Sequence, residues 1–214
     1  MKIERFVVGM LETNSYLITQ DSGECVLIDA PFAEQPYLDT ICALGERLKW
    51  ILLTHRHFDH ILAVKQIQEA TGAQIAISQK DAAGLKGPQD SAAQLCGLGH
   101  LQQPVRPDQL LQDGDTLHIG DLTFRVLLTP GHTVGSVCFL CGNVLWSGDT
   151  LFAGSAGRTD LPTGDTLALT ASLRGLCRLP GDYRVLPGHG EETTLEQERR
   201  SNPFLADLKA GRKA

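Results

Sequence analysis

The chain has 214 residues, 42% of them hydrophobic, which is enough for one substantial core and short for two, so we predict a single domain over residues 1–214. Its formal net charge of −6 argues against a nucleic-acid partner, because phosphate contacts need clustered lysine and arginine, and the basic residues at 199–200 and 209–213 are interpreted as a solvated tail. Residues 1–12 contain no apolar stretch of signal-peptide length, and the chain has no run of about eighteen apolar residues, so we expect a cytoplasmic protein without a membrane partner.

Three strand-like apolar runs, near residues 3–8, 15–20 and 24–29, precede a predicted helix from Ala33 to Leu44. Asp29 closes the third of these runs. It could join a metal-ligand set, accept a hydrogen bond from a ligating histidine, or simply form a turn. We favour the hydrogen-bonding role.

An HxHxDH motif follows the next apolar run, residues 50–54. His55, His57 and His60 place three imidazoles, and Asp59 a carboxylate, within six consecutive positions. Neutral imidazole nitrogens and carboxylate oxygens are the ligands that borderline divalent ions such as zinc accept. Four such groups exceed what one structural ion usually takes from a short loop, so the motif indicates two metal ions.

A helical apolar spacing begins at Ile61 and ends at Gly72. We therefore expect Asp59 and His60 to lie at a helix entrance, which would hold both side chains firmly. Glycines and prolines then interrupt residues 78–112, and we interpret this segment as helix fragments and a loop over the site.

Strands are predicted again from Leu117 onward, until residues 165–177 return to a helical pattern. Strands and helices therefore occur in both halves of the chain. This order predicts an α/β fold in which two similar β-rich halves face each other with helices outside.

Three more potential ligands each follow a strand-like run and a glycine-containing turn. The runs cover residues 124–128, 144–146 and 183–186, and the ligands after them are His132, Asp149 and His189. Buried strands form a rigid base, and a glycine turn lets the backbone direct a side chain to a shared point. We expect these ligands to converge with the HxHxDH motif, and we leave His100 and His118 outside the site.

The six cysteines show no disulfide framework and are expected to remain thiols; they are residues 25, 42, 96, 138, 141 and 177. Cys138 and Cys141 form a CxxC in a strand-like run. Side chains three apart on a strand point to opposite faces, so we predict core packing there and no shared metal.

The order HxHxDH, His132, Asp149, His189 resembles the metallo-β-lactamase fold superfamily over essentially the whole chain, which implies a four-layer αββα sandwich. Within it, three segments resemble the compact bacterial glyoxalase II-like hydrolases. They are GDTLF at 148–152, GRTDLP at 157–162 and PGH at 187–189.

The resemblance implies two divalent metal ions, with zinc favoured and iron or manganese compatible with the same ligand atoms. It assigns His55, His57 and His132 to one ion, Asp59, His60 and His189 to the second, and Asp149 as the bridge. It also implies a bridging hydroxide that attacks a carbonyl carbon. Asp59 is expected to accept a hydrogen bond from this hydroxide and so to act in catalysis.

The implied substrate is a small acyl thioester, because glyoxalase II hydrolyses S-lactoylglutathione. Residues 190–214 are too few for an added C-terminal glutathione-binding helical domain, so a simpler thioester or another small ester remains open. Arg158 and Asp160, two residues apart in a glycine-rich loop, either form a mutual salt bridge or contact the substrate.

The main alternative is a mononuclear non-haem iron persulfide dioxygenase, since that family shares the fold and also resembles the GRTD segment at 157–160. Its iron would be held by two histidines and one aspartate, matching His55 or a neighbour, His132 and Asp149. A lactonase or β-lactamase fits less well, because a periplasmic β-lactamase would need a signal segment. A non-catalytic metal-binding module is the remaining interpretation, and we favour the hydrolase.

Overall fold

Two six-stranded sheets pack face to face in the computed structural model, which describes residues 1–205. The first sheet contains, in spatial order, β1 (Lys2–Val8), β2 (Thr13–Thr19), β3 (Cys25–Ile28), β4 (Leu48–Leu52), β5 (Gln74–Ser78) and β6 (Gln109–Leu111). Strands β1 to β3 pair antiparallel, whereas β3 to β6 pair parallel. The parallel ladders place the carboxyl ends of three consecutive strands, β3, β4 and β5, at one edge of the sheet.

The second sheet has the same number of strands. It contains β7 (Thr116–Ile119), β8 (Leu122–Leu128), β9 (Val137–Cys141), β10 (Val144–Gly148), β13 (Arg184–Pro187) and β14 (Thr193–Thr194), in the spatial order β14-β13-β10-β9-β8-β7. Strands β10 and β13 are parallel, so their carboxyl ends lie together. A short hairpin of β11 (Leu151–Phe152) and β12 (Ser155–Ala156) follows β10.

Helices cover the outer faces of both sheets. They are α1 (Tyr37–Cys42), α2 (Phe58–Ile61) and α3 (Val64–Thr71) beside the first sheet, and α4 (Thr166–Cys177) and α5 (Leu195–Ser201) beside the second. The core between the sheets includes Phe124 and Trp146, whose rings lie 5.7 Å apart between centroids. The predicted αββα sandwich is therefore confirmed. No helix within residues 1–205 is long and apolar enough to cross a membrane.

The strand pleat separates the two cysteines of the CxxC as predicted. Cys138 packs with α4 and α5 on the outer face of the second sheet, while Cys141 packs between the sheets. Burial disfavours the charged thiolate and raises the pKa of Cys138 to about 11. Within the described residues, neither cysteine belongs to a group that could hold a metal.

The predicted helix from Ala33 to Leu44 is wrong at both boundaries, because α1 covers only Tyr37–Cys42. Pro36 has no N–H group and disfavours helical backbone in the residue before it, so the helix begins after it. The predicted helix from Ile61 to Gly72 is divided into α2 and α3. At the break, the N–H of Ala63 donates to the carbonyls of Ala30 and Pro31 in the loop after β3, and not within the helix.

Two further expectations need correction. Residues 78–112 contain strand β6 at the edge of the first sheet, which the glycines and prolines of that segment concealed. Arg199 belongs to α5 and donates to the carbonyls of Cys177 and Gly181 at the end of α4, at 3.0 and 2.6 Å, so it is not part of a solvated tail. Residues 209–213 of that predicted tail lie outside the described residues.

Candidate metal centre

Seven side chains converge beyond the carboxyl ends of β4, β8, β10 and β13, where the sequence pattern placed them. They form three overlapping groups that could hold metal ions, each with its ligand atoms within 4.8 Å of one another. The groups are His55, His57 and His132; Asp59, His60 and His189; and His55, His60 and Asp149. The first two groups correspond to the two ligand sets that the family resemblance implied.

The first group consists of three buried imidazoles. Nδ1 of His57 faces Nε2 of His132 at 2.8 Å, and the ring of His55 lies 4.9 Å from that of His57 and 4.8 Å from that of His132 between centroids. Two of these residues come from the loop after β4 and one from the loop after β8. The group therefore depends on how the two sheets are aligned.

The second group combines one carboxylate with two imidazoles. Oδ2 of Asp59 lies 3.2 Å from Nε2 of His189 and 3.6 Å from Nε2 of His60. The same oxygen accepts a hydrogen bond from Oγ1 of Thr13 at 3.2 Å, which orients the carboxylate. Thr13 begins strand β2 of the first sheet, whereas His189 follows strand β13 of the second sheet. Residues from both sheets therefore hold the second group.

Asp149 lies between the two groups. Its Oδ1 is 3.4 Å from Nε2 of His60, while its Oδ2 is 3.4 Å from Nε2 of His132 and 3.5 Å from Nε2 of His189. One carboxylate therefore reaches members of both groups, and its Oδ2 lies near one member of each. Gly188 makes this approach possible, since a Cβ atom there would lie 2.1 Å from Oδ1 of Asp149.

In four of the imidazoles, the ring nitrogen that points away from the cluster, Nδ1, has a polar partner. Nδ1 of His132 faces the carbonyl of Arg158 at 2.8 Å, and Nδ1 of His189 faces the carbonyl of Leu11 at 3.0 Å. Carbonyls only accept, so each Nδ1 carries a proton and each Nε2 is the nitrogen that faces the cluster as a potential ligand. Nδ1 of His55 has a comparable contact with Oγ1 of Thr54 at 3.1 Å.

Asp29 holds the fourth imidazole. Its Oδ2 lies 2.8 Å from Nδ1 of His60 and also accepts from Oγ1 of Thr54 at 2.7 Å, while its Oδ1 accepts from the backbone N–H of Thr54 at 2.8 Å. This geometry matches the hydrogen-bonding role that we favoured from the sequence. Through Thr54, the same carboxylate also fixes the start of the HxHxDH loop.

Burial and charge divide the histidines of the cluster into two classes. Burial, with help from neighbouring imidazoles, lowers the pKa of His57 to about 3 and that of His55 well below its usual value. Burial also opposes a charge on His60 and His189, but nearby carboxylates, Asp149 first among them, outweigh it; the pKa of His60 is raised well above its usual value and that of His189 to about 9. A cation that binds the second group at neutral pH must therefore displace protons.

The carboxylates complement these histidines. Burial alone would raise the pKa of Asp59 and Asp149, but His60 and His189 more than offset it, so the pKa of each carboxyl is lowered. Both carboxylates therefore stay anionic at neutral pH, as metal ligands must be.

The donor set fits a metal centre. Among the described residues, Nε2 of His55 and Oδ1 of Asp149 are buried side-chain atoms without a hydrogen-bond partner, although buried polar atoms of this kind are almost always paired. Both belong to one candidate group with His60. Metal coordination satisfies a nitrogen lone pair and a carboxylate oxygen together, so bound ions would remove both unsatisfied atoms.

Arg158 and Asp160 bind each other. Nε and Nη2 of Arg158 donate to the two oxygens of Asp160 at 2.6 and 2.8 Å, and the side chains are 62% and 67% exposed. The geometry corresponds to the salt-bridge alternative that the sequence left open. His118 also lies apart, exposed and facing Oγ1 of Thr123 at 3.2 Å. His100 is exposed as well, and neither histidine joins a candidate metal group of the described residues.

Several contacts of the centre were not predicted from the sequence, and for Arg158, itself a candidate, the backbone carbonyl was not the group considered. Thr13 contacts Asp59 by its hydroxyl, whereas Leu11 and Arg158 act through backbone carbonyls. A carbonyl is present at every position, so residue type gives no signal for the last two. Thr13 gave no signal either, because a threonine at the start of a strand is ordinary.

Comparison with known proteins finds relatives that align with nearly the whole chain. Hydroxyacylglutathione hydrolase GloC of Haemophilus influenzae is 36% identical over 208 residues, covering 96% of this chain and 98% of that protein. The crystal structure of TTHA1623 in a di-iron-bound form is 40% identical with a TM-score of 0.83, covering 94% and 100% of the two chains. ETHE1 from Myxococcus xanthus is 29% identical with a TM-score of 0.77, covering 100% and 92%.

The family model of the metallo-beta-lactamase superfamily matches residues 8–189, which include all seven clustered side chains. The αββα sandwich, the site at the strand ends and the similar relatives lead to one identification: the chain belongs to the metallo-β-lactamase superfamily.

Proposed function

We propose that this protein is a dinuclear metal-dependent hydrolase that acts on a small acyl thioester. The observation that carries the proposal is the position of Asp149, whose two oxygens reach members of two separate ligand groups. If the centre held one ion, the carboxylate and two imidazoles of the second group would have no ion to coordinate. Superfamily membership and the likeness to GloC support a hydrolytic reaction.

Two divalent ions held by the seven clustered side chains would lower the pKa of a water and polarise a substrate carbonyl. The residues of the chain supply the orientation. Thr13 fixes the carboxylate of Asp59, which we assign to accept a hydrogen bond from the attacking water. Water adds to the carbonyl carbon, the carbon–sulfur bond breaks, and the thiol leaves with a proton, so the products are a carboxylic acid and a thiol.

A thioester is proposed as the substrate because the related GloC is named a hydroxyacylglutathione hydrolase at 36% identity. The thiol part of the substrate, glutathione or a simpler thiol, is to be established by assay. We propose a small molecule as the binding partner, and neither nucleic acid nor membrane.

Zinc is the proposed metal, since imidazole and carboxylate ligands suit it well. Iron and manganese bind the same atoms, and the related TTHA1623 has been solved in a di-iron-bound form. The metal is therefore best identified in protein purified without added ions.

The second candidate is a mononuclear iron persulfide dioxygenase. It is supported by the resemblance of the GRTD segment at 157–160 to persulfide dioxygenases. Two histidines and one aspartate suffice for that iron, and His132 and Asp149 lie 3.4 Å apart with His55 beside them. In such an enzyme His189 and Asp59 would be dispensable for the metal.

One pair of assays distinguishes the two candidates. The protein is incubated with S-lactoylglutathione and with a short-chain acyl thioester, and thiol release is followed; in parallel, oxygen consumption is followed with glutathione persulfide. We expect thiol release that a chelator abolishes and added zinc restores, and no oxygen consumption. Oxygen consumption with intact thioesters would overturn the proposal in favour of the dioxygenase.

Thiol alkylation should leave the hydrolytic activity within about twofold of the untreated protein, because the proposed reaction needs no cysteine nucleophile. The thiol of Cys138 is buried with a pKa near 11, so its thiolate is scarce at pH 7.5 and it should resist iodoacetamide, whereas the exposed Cys96 should react first. Peptide mapping and residual activity are measured together.

Alkylation adds bulk at the exposed Cys96, which could lower activity without any catalytic role for its thiol. A Cys96→Ser variant separates obstruction from loss of a nucleophile. Activity that disappears in step with modification of one cysteine, and also on its replacement by serine, would contradict the proposed mechanism.

A further inference from the structure

A buried ion pair that the proposed reaction does not use contacts the loop that carries two imidazoles of the first ligand group. Arg56, between His55 and His57 in the chain, points inward, and its Nε lies 3.7 Å from Oδ1 of Asp81. Both side chains are almost entirely buried, and neither of these two atoms has a hydrogen-bond partner within residues 1–205. A buried ion pair of this kind does not by itself stabilise a fold, so its position calls for another explanation.

Asp81 connects two loops that carry metal-ligand candidates. Its Oδ2 accepts a hydrogen bond from the backbone N–H of Arg56 at 3.1 Å and another from Oγ1 of Thr133 at 2.6 Å. Arg56 separates His55 from His57, and Thr133 directly follows His132. One carboxylate thus holds the loops of all three imidazoles in the first group.

The guanidinium extends the connection to a third loop. Nη2 of Arg56 donates to Oγ1 of Thr163 at 2.8 Å, at the end of the loop whose Arg158 carbonyl holds His132. Gly84 leaves room for this buried side chain, because a Cβ atom there would lie 2.3 Å from Cβ of Arg56. Arg56 therefore offsets the charge of Asp81. It also links the HxHxDH loop to the loop whose Arg158 carbonyl contacts Nδ1 of His132.

We infer that Asp81, through Arg56 and Thr133, is a positioning residue that sets the spacing of His55, His57 and His132 and so selectively supports the first metal. Asp81 touches none of the three imidazoles; it acts on the backbones that carry them. The second group is held differently, by Thr13, Asp29 and the carbonyl of Leu11. The inference rests only on the metal-binding part of the proposed function.

Thr133→Val tests the link with little change of shape, because it removes the donor to Asp81 and keeps the branched side chain. Zinc affinity is measured by competition with a chromophoric chelator in two backgrounds. In His189→Ala, which disables the second group, we expect Thr133→Val to weaken zinc binding by about tenfold to a hundredfold, the range for residues that hold ligands. In His57→Ala, which disables the first group, we expect a change below about twofold.

Conservative and matched variants separate positioning from general damage. Thr133→Ser keeps the hydroxyl and should restore the affinity, while Asp81→Ala should weaken the first group at least as much as Thr133→Val. Asp108→Asn is the control, because Asp108 accepts from a backbone N–H of β5 at 2.8 Å outside the cluster. Urea unfolding of the metal-free proteins checks that each variant folds.

Equal weakening in both backgrounds, or a first group unaffected by both Asp81→Ala and Thr133→Val, would overturn the inference. Because the measurement is zinc binding, its failure is distinct from that of the proposed function. An unsubstituted protein that binds two ions without hydrolysing thioesters would contradict the proposed substrate and leave the positioning role supported by the same titrations.

Discussion

We expect Asp149→Ala to reduce thioester hydrolysis by about a thousandfold or more, the largest loss among single replacements in the cluster. The reason is positional, since this carboxylate faces both ligand groups, with Oδ1 near His60 and Oδ2 near His132 and His189. Its loss removes a ligand from each group and leaves the charges of His60 and His189 less well compensated. Steady-state kinetics and elemental analysis of the same preparation measure both consequences.

Asp149→Asn is the matched variant, because it keeps the shape and one oxygen while removing the charge. We expect an intermediate loss of metal and activity. An Asp149→Ala protein that retains two tightly held ions and near-normal turnover would show that the assignment of Asp149 as the bridge is wrong.

His60→Ala and His189→Ala should each lower thioester turnover by at least about a hundredfold, comparable to deleting a major electrostatic stabiliser. Both residues belong to the second group, and in the dioxygenase alternative they would not hold the iron. His189 is the cleaner test, because its side chain is 26% exposed, whereas His60 is fully buried against Asp29. The first group should retain part of its metal in both variants.

His118→Ala is the control for these replacements, since His118 is exposed and outside the cluster. Its turnover should equal that of the unsubstituted protein. Oxygen consumption with a persulfide that survives both His60→Ala and His189→Ala, with thioesters untouched throughout, would establish the dioxygenase instead.

The convergence of the site could be predicted because its signals are local. Each ligand stands within a few residues of the end of an apolar strand, as His132 follows β8 and His189 follows β13, and strand ends at one edge of stacked sheets must meet. Asp29 could be predicted to approach a histidine for the same reason, since it directly follows β3, which pairs with β4.

The contacts that hold the imidazoles could not be predicted, because they depend on distant segments of the chain. Asp81 meets Thr133 across 52 positions, and Leu11 offers His189 a backbone carbonyl across 178. Neither contact follows a periodic sequence pattern. The contact from Leu11 uses a backbone carbonyl, so it does not require a particular residue type at that position. Arg158 illustrates this limit of sequence-based prediction. The sequence indicated its side chain as a candidate, whereas its backbone carbonyl is the group that contacts His132.

Element boundaries failed where tertiary hydrogen bonds replaced local ones. The break between α2 and α3 arises because the N–H of Ala63 donates to the loop after β3, and no local signal reveals that acceptor. Strand β6 forms because it pairs with β5 at the edge of the first sheet. The sequence of its three residues alone does not indicate a strand.

The number and identity of ions per chain in anaerobically purified protein, determined by elemental analysis, test the dinuclear centre most directly. Seven ligand candidates in two groups that share Asp149 predict two divalent ions per chain, with zinc as the expected element. Removal of His189 should lower the count to about one. A single iron per chain, unchanged in His189→Ala, would contradict the dinuclear centre and the hydrolytic function built on it.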